Sequence, residues 1–288
     1  MLRLISILRI LTFNVRIDHM SISSPEVTRV RAAQSADWAL SRGKASLTTS
    51  EVADLLGVPV SQVPQRLMVP KQRGEWIAPA RGLWVPVPPE FRGWNGSPAV
   101  EFISALMAHL NVSYYVGWLA AAATYGATHQ AAQVTNIATS RLVRDRTIGR
   151  ADLHFHTRDN ITRLPTRQLM SRSGAYLVST PEVTALDLAT DLTLAGGLDN
   201  AATVIVDLAN EVGLTDETLV SLGDLYPDAS IRRVGWIIEE HTDYRLDVVA
   251  RRVADGSQSP ARLHPRLALS GALDSRWKLR LNTGVEVE

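Results

Sequence analysis

The sequence predicts an α+β chain in two unequal parts: a small N-terminal unit of short helices closed by a strand hairpin, then a larger mixed α/β unit. Three observations predict it. Two short amphipathic runs, 49–56 and 61–68, meet at a turn bearing Gly57. An aromatic stretch, 73–87, follows with Gly82 at its centre. Four prolines (Pro86, Pro88, Pro89, Pro98) and two glycines (Gly93, Gly96) then crowd a short segment before helical and strand patterns resume. The expected organisation is an N-terminal extension over 1–23, a first domain over 24–89 and a second over 97–288.

The bulk numbers set limits. A chain of 288 residues with 45% hydrophobic and 20% charged residues is globular rather than disordered, and long enough for two domains. Cysteine is absent, which excludes disulfides, thiolate zinc sites and cysteine nucleophiles and fits a reducing cytoplasm, the expected location. No uncharged apolar run reaches the ~18 residues of a spanning helix, so no membrane partner is expected. The opening 20 residues are apolar but carry Arg3, Arg9 and Arg16 inside the run. That spacing, without a small-residue cleavage site, does not fit a secretory signal. The segment reads as an extra strand or helix, or as an over-long start ahead of Met20. A surface amphipathic segment and a targeting segment are the alternatives.

Charge is distributed unevenly although the net is only +1. Residues 1–95 hold 12 Lys and Arg against 7 Asp and Glu. Residues 141–172 hold 8 against 3, and residues 173–230 hold none against 10. The basic stretches suit a polyanion, and the acidic stretch is expected to face away from one.

Ser24-Pro25-Glu26 has the chemistry of a helix start, and Gly43 suits the end, so a first helix is expected over 25–42. Thr49 or Ser50 is the expected cap of the next helix, with Val52, Leu55 and Leu56 as its apolar stripe and Gly57 as its stop. After Val58-Pro59-Val60, Ser61 is the expected cap of a second short helix, with Pro64 tolerated in its first turn. Val63 and Leu67 then face inward, leaving Gln62, Gln65 and Arg66 outside. The stretch 73–87 reads as strand, turn and strand, with Trp76, Leu83 and Trp84 supplying bulk. Arg73 and Arg81 are expected at or near its turn. Two short helices across a glycine-bearing turn, followed by a hairpin, are the pattern of a winged helix-turn-helix.

In the second part, Ser97-Pro98 is expected to open a helix to Leu110. Residues 114–129 should be helical after Gly117, and 133–157 extended, with strands at 136–139 and 151–157. Thr180-Pro181-Glu182 should start a helix carrying Val183, Leu186 and Leu188. Helices broken at Gly196-Gly197 and Gly213 should run to about Arg252, with closing strands at 263–269 and 277–282.

Gln pairs bidentately with adenine and Arg with guanine, so Gln62, Gln65 and Arg66 are candidate base readers. Lys71, Arg73 and Arg81 suit phosphates, as do backbone N–H groups at the Ser50 and Ser61 helix starts. Arg141, Arg144, Arg146 and Arg150 form a secondary basic patch. The implied partner is double-stranded DNA. On a strand, Asp152, His154 and His156 share a face. A metal site there, and with it a metal-dependent nucleic-acid enzyme, is the alternative reading; a polar strand face is the preferred one. A third alternative is a protein-interaction module that binds no DNA. Nucleotide loops and the serine-hydrolase and zinc-protease motifs are absent, so no cofactor, metal or catalytic residue is expected. Asp187 and Asp191, four apart, are expected on an exposed helix face rather than at a catalytic pair.

Several stretches together resemble the AbiEi-type antitoxins, the transcriptional-regulator halves of bacterial type IV toxin–antitoxin systems. Gly82-Leu83-Trp84-Val85-Pro86-Val87-Pro88 looks like that family's G-[LV]-[YW]-V-x-x-P hairpin. Tyr114-Tyr115-Val116-Gly117-Trp118-Leu119-Ala120-Ala121 and Tyr125-Gly126 resemble its YYLS–SAL–HG stretch, with Tyr125 where the family usually has histidine. Residues 179–188 (STPEVTALDL), 232–239 (RRVGWIIE) and 277–282 (WKLRLN) resemble its later motifs. The resemblance spans 45–287 in the family's order. It implies a repressor that binds inverted repeats in its own promoter. It also implies a C-terminal domain that counteracts, directly or indirectly, a toxin with a nucleotidyltransferase-like fold.

Overall fold

Glu51 and Thr48 set the first helix boundary that can be read in full. The Thr48 hydroxyl accepts from the Glu51 N–H at 3.2 Å, and the Glu51 carboxylate accepts from the Thr48 N–H at 2.7 Å. The reciprocal pair satisfies two donors that a helix start leaves open, so Thr48 is the cap rather than Thr49 or Ser50. The computed structural model describes residues 29–93, 96–128 and 134–287. The expected extension over 1–23 and the Ser24-Pro25-Glu26 helix start lie outside them.

The first unit runs α1 (Ser35–Ser41), β1 (Leu47–Thr48), α2 (Thr49–Leu56), α3 (Val63–Arg66), α4 (Met68–Gln72), β2 (Trp76–Ala80) and β3 (Leu83–Pro86). The strands pair in the order β1-β3-β2, all antiparallel. Helix α1 is shorter than expected. Arg31 is extended, with φ −68° and ψ 141°, and the neighbouring Val30 N–H donates to Leu55 O at 3.0 Å, which holds this strand-like lead-in against α2. A 3-10 turn at Ala32–Gln34 then leads into the helix. Gly57 ends α2 in the left-handed region at φ +64°, where a side chain would be strained and would meet Arg29.

The second short helix does not start at Ser61. Residues Val60–Gln62 form a 3-10 turn, α3 begins at Val63, and Ser61 makes no cap bond. The helix also breaks at Leu67 before α4. The reason is the pair of prolines: Pro64 and Pro70 have no N–H to return to Val60 and Arg66. Val63 and Leu67 are nonetheless both wholly buried, as their spacing predicts.

The hairpin is buried on both faces. Trp76 and Trp84 pack with α1 and α2, and their indole N–H groups donate to Ser35 and Thr49 hydroxyls at 3.1 Å. Ile77, Leu83, Val85 and Val87 point the other way, into a core shared with the larger part.

That part continues with α5 (Pro89–Arg92), α6 (Ile103–Leu110), β4 (Tyr114–Val116), α7 (Trp118–Thr124), β5 (Val134–Thr139), β6 (Arg146–Ile148), β7 (Ala151–Thr157), β8 (Thr166–Ser171) and β9 (Gly174–Ser179). The strands form one mixed sheet, β6-β7-β5-β4-β9-β8, with β5/β7 and β4/β9 parallel. Ser97 does not cap the entering helix. Its hydroxyl is buried without a partner, and a 3-10 turn at Ala99–Glu101 ends at Phe102 before α6 begins.

Helices α8 (Pro181–Thr190), α9 (Leu198–Asp207), α10 (Asp216–Ser221), α11 (Asp228–His241) and α12 (Asp247–Asp255) cover one face of the sheet. Thr180 caps α8 by accepting from Val183 N–H. The other face carries α6 and the hairpin. Alternation along the strands decides this: Tyr114, Val116 and Ile137 face the hairpin side, whereas Tyr115 and Ala138 face the helices.

A small sheet closes the chain, with β10 (Ala261–Arg262), β11 (Ala272–Asp274) and β12 (Leu279–Leu281) in the order β10-β12-β11. The strand expected over 263–269 is confined to residues before 263. Pro265 cannot donate a ladder bond, and the Asn282 amide instead takes up His264 N–H, His264 O and Ala268 O. Trp277, fully buried, packs its ring against Gly235 of α11. The whole is mixed α+β.

Candidate nucleic-acid interface and a buried carboxylate cluster

Segment 58–73 contains no Asp or Glu and three cations, Arg66, Lys71 and Arg73. Its inward residues Val63, Leu67 and Pro70 fix α3 and α4 to the first core. Ser61, Gln62, Gln65, Arg66, Lys71 and Arg73 are all exposed around them. Arg73 is not near the hairpin turn. It follows α4 at the opposite, open end of the hairpin, because the strands run from Trp76 to the turn and back. The expected base-reading group is thus exposed in the same segment as Lys71 and Arg73, and Arg81 lies at the hairpin turn apart from that segment.

The two expected phosphate seats differ from expectation. Ser61 lies in the 3-10 turn rather than at an α-helix start. Ser50 is exposed in the first turn of α2, but that turn already holds its own anion. The backbone N–H and hydroxyl of Thr48 hold the Glu51 carboxyl below the usual carboxylate range. The Thr49 N–H is also engaged, donating to Gly82 O at 3.0 Å.

The hairpin turn is clamped. Gly82 has φ +88° at the second central position of the turn, the conformation that a type II turn requires there. The His109 Nε2 donates to Arg81 O at 3.0 Å, and Arg146 Nη1 donates to Pro79 O at 2.9 Å. Arg146 is thus half-buried, its guanidinium near the Phe155 ring at 5.7 Å, with burial lowering its pKa. This clamp brings Arg81 beside the secondary basic patch. Within that patch Arg141, Arg144 and Arg150 are exposed, with Arg141 donating to Leu110 O, whereas Arg146 is committed to the hairpin.

Asp187 is where the structure departs furthest from the sequence reading. It is wholly buried, not on an exposed helix face. Its Oδ1 accepts from Tyr226 Oη at 2.7 Å and from Arg158 Nη1 at 2.8 Å, and its Oδ2 from Tyr115 Oη at 3.0 Å. The Arg158 guanidinium also lies 5.0 Å from the Tyr226 ring and 5.7 Å from Trp118. Burial pushes the Asp187 carboxyl up to about 6, against the pull of Arg158 and the two hydroxyls. Burial opposes the charge on Arg158 as well, but Asp187 and the tyrosines outweigh it and raise its pKa. With both carboxylate oxygens engaged, the cluster joins β4, the end of β7 and the helical layer. The available signal in the sequence was the setting of Asp187, between Leu186 and Leu188 in a stretch, 183–189, with no other charged residue; in the structure every residue of α8 from Pro181 to Ala189 is buried.

The histidine strand resolves in the same direction. His156 hydrogen-bonds Asn136 Oδ1 at 2.9 Å and meets the Trp118 ring edge-on at 5.0 Å. His154 lies 3.4 Å from Asp152 on the same strand. No group of three or more His, Cys, Asp or Glu is placed to hold a metal ion among the described residues.

In the acidic stretch 173–230, acids besides Asp187 have partners within the chain. Asp216 accepts from the N–H groups of Val248 and Val249 at 2.7 and 2.8 Å, and Asp224 pairs with Arg252 at 2.9 Å. No helix among the described residues is long and apolar enough to cross a membrane.

Comparison with known proteins follows the same outline. The fold is similar to the crystal structure of the RV2827C protein from Mycobacterium tuberculosis, with a TM-score of 0.63 at 15% identity over 87% of this chain and 92% of that one. No curated protein sequence matches the chain. Residues 115–240 match the AbiEi antitoxin C-terminal domain. That span holds the motifs at 115–126, 179–188 and 232–239, including Tyr115, Arg158, Asp187 and Tyr226 of the buried cluster, and it is similar to the AbiEi antitoxin C-terminal domain.

Proposed function

We propose that this chain is the antitoxin of a toxin–antitoxin pair and also a sequence-specific DNA-binding repressor. In this reading, residues 24–89 form a winged helix-turn-helix domain and 97–288 the antitoxin domain. The antitoxin domain gives the chain its role in a toxin–antitoxin pair. The repressor binds inverted repeats in its own promoter, in the cytoplasm. The partner toxin has a nucleotidyltransferase-like fold, and the chain counteracts it without catalysing a reaction.

The observation that carries the reading is the surface of segment 58–73. Two short helical pieces present Gln62, Gln65 and Arg66 outward over the buried Val63 and Leu67, with three cations and no acid. That is the chemistry of a major-groove reader. The order of helices and antiparallel strands in residues 32–86 supports it. Arg81, Arg141, Arg144 and Arg150, gathered by the hairpin clamp, extend the phosphate-binding surface.

The test is a fluorescence anisotropy titration of the full chain on its own upstream promoter and on a scrambled duplex, at two salt concentrations. A preference of ~10³-fold or more with steep salt dependence supports the repressor. Weak and equal binding to both duplexes overturns it and leaves a protein-interaction role for the first unit.

A further inference from the structure

The recognition segment exposes more than amides and cations. Val60 and Met68 each retain 53% of their surface, and Val69 retains 46%. These are large apolar side chains left in water, within a stretch whose neighbouring Val63 and Leu67 are buried as expected and whose Pro70 is buried too. Packing does not account for them. They flank or follow the point where the two helical pieces meet at Leu67, whose N–H reaches Val63 O and whose carbonyl accepts from Lys71 N–H. Met68 and Val69 open α4 directly after Gln65 and Arg66 close α3, and all four are exposed in the candidate base-reading segment.

A protein partner and a duplex make different demands on such a patch. Arg66, Lys71 and Arg73 surround it and the segment has no carboxylate, so the complementary surface is strongly anionic. A duplex offers one apolar group at the right place: the 5-methyl of thymine projects into the major groove between the polar base edges. We infer that Met68 and Val69 are specificity-determining residues that contact thymine methyl groups, next to the bases read by Gln65 and Arg66. This inference rests on the DNA-binding reading above.

Replacing thymine by deoxyuridine removes the methyl and leaves the hydrogen-bonding edges unchanged. The full chain is titrated with the tightest-binding duplex from its own promoter and with the same duplex carrying deoxyuridine throughout. Each methyl lost from contact is expected to weaken binding roughly fourfold. The double variant Met68→Gln, Val69→Thr changes only exposed positions. It is expected to bind both duplexes alike while keeping the wild-type salt slope. Equal wild-type affinity for the two duplexes overturns the inference and leaves the DNA reader standing. So does a double variant that still discriminates. Binding to neither duplex overturns both. A self-association that the double variant abolishes, with no discrimination between the duplexes, would assign the face to a second copy of the chain.

Discussion

Arg158 and Asp187 form an ion pair of 2.8 Å whose carboxylate is wholly removed from solvent. Two hydroxyls, from Tyr115 and Tyr226, complete its shell. Taking Arg158 away leaves the buried carboxyl without its counter-charge. Arg158→Met is expected to cost about 3–5 kcal/mol in stability, read as a drop in the urea midpoint. A loss below about 1 kcal/mol would mean that the pair does not join the sheet to the helices.

The same carboxyl gives a pH signature of defined sign. Its ordinary value is 3.8, and burial raises it to about 6 in the folded protein. A raised carboxyl favours the protonated, folded form. Its contribution to stability is complete below about pH 4 and is lost as pH rises through about 6. Asp187→Asn cannot ionise. The difference in unfolding free energy between the wild type and this variant should therefore change between pH 4 and 6 and be flat above. A flat difference across the whole range would contradict the raised value.

Gly235 and Trp277 meet at a distance no side chain tolerates. A Cβ on Gly235 would overlap the Trp277 ring, which is fully buried. Gly235→Ala must displace that ring, outweighing the better helix propensity of alanine. A loss of about 1–3 kcal/mol is expected, seen as a lower thermal midpoint together with a shift in tryptophan fluorescence.

The cap assignment separates two neighbouring residues. Thr48→Ala removes both hydroxyl bonds of the capping box and should cost about 0.5–2 kcal/mol. Ser50→Ala touches no cap bond and should leave the urea midpoint unchanged within about 0.5 kcal/mol. The reverse ranking would restore Ser50 as the cap.

For the proposed repressor, Arg66→Ala should weaken specific binding roughly ten- to hundredfold and relax preference at one base position. Arg81→Ala should weaken binding to all duplexes and flatten the salt slope by about one unit. Anisotropy titrations on specific and random DNA at several salt concentrations distinguish the two. Equal effects from both variants on both duplexes would remove the division between base reading and phosphate binding.

What was legible in the sequence was local. The stripe of Val52, Leu55 and Leu56, the stop at Gly57, the hairpin around Gly82 and the Thr180-Pro181 helix start all depend on neighbours within a few residues, and each stands as read. The ordered motifs pointed to the antitoxin family in the same way. Only the tertiary structure decided the partners of Asp187, the inward turn of His156 and the clamping of the hairpin by His109 and Arg146. Asp187 and Arg158 are 29 positions apart, and their charges read as surface charges until the fold buries them together. Local spacing fixes which face of an element is apolar. Whether a polar residue on that element meets water or a distant partner depends on which layer covers it, and that is set by long-range packing alone.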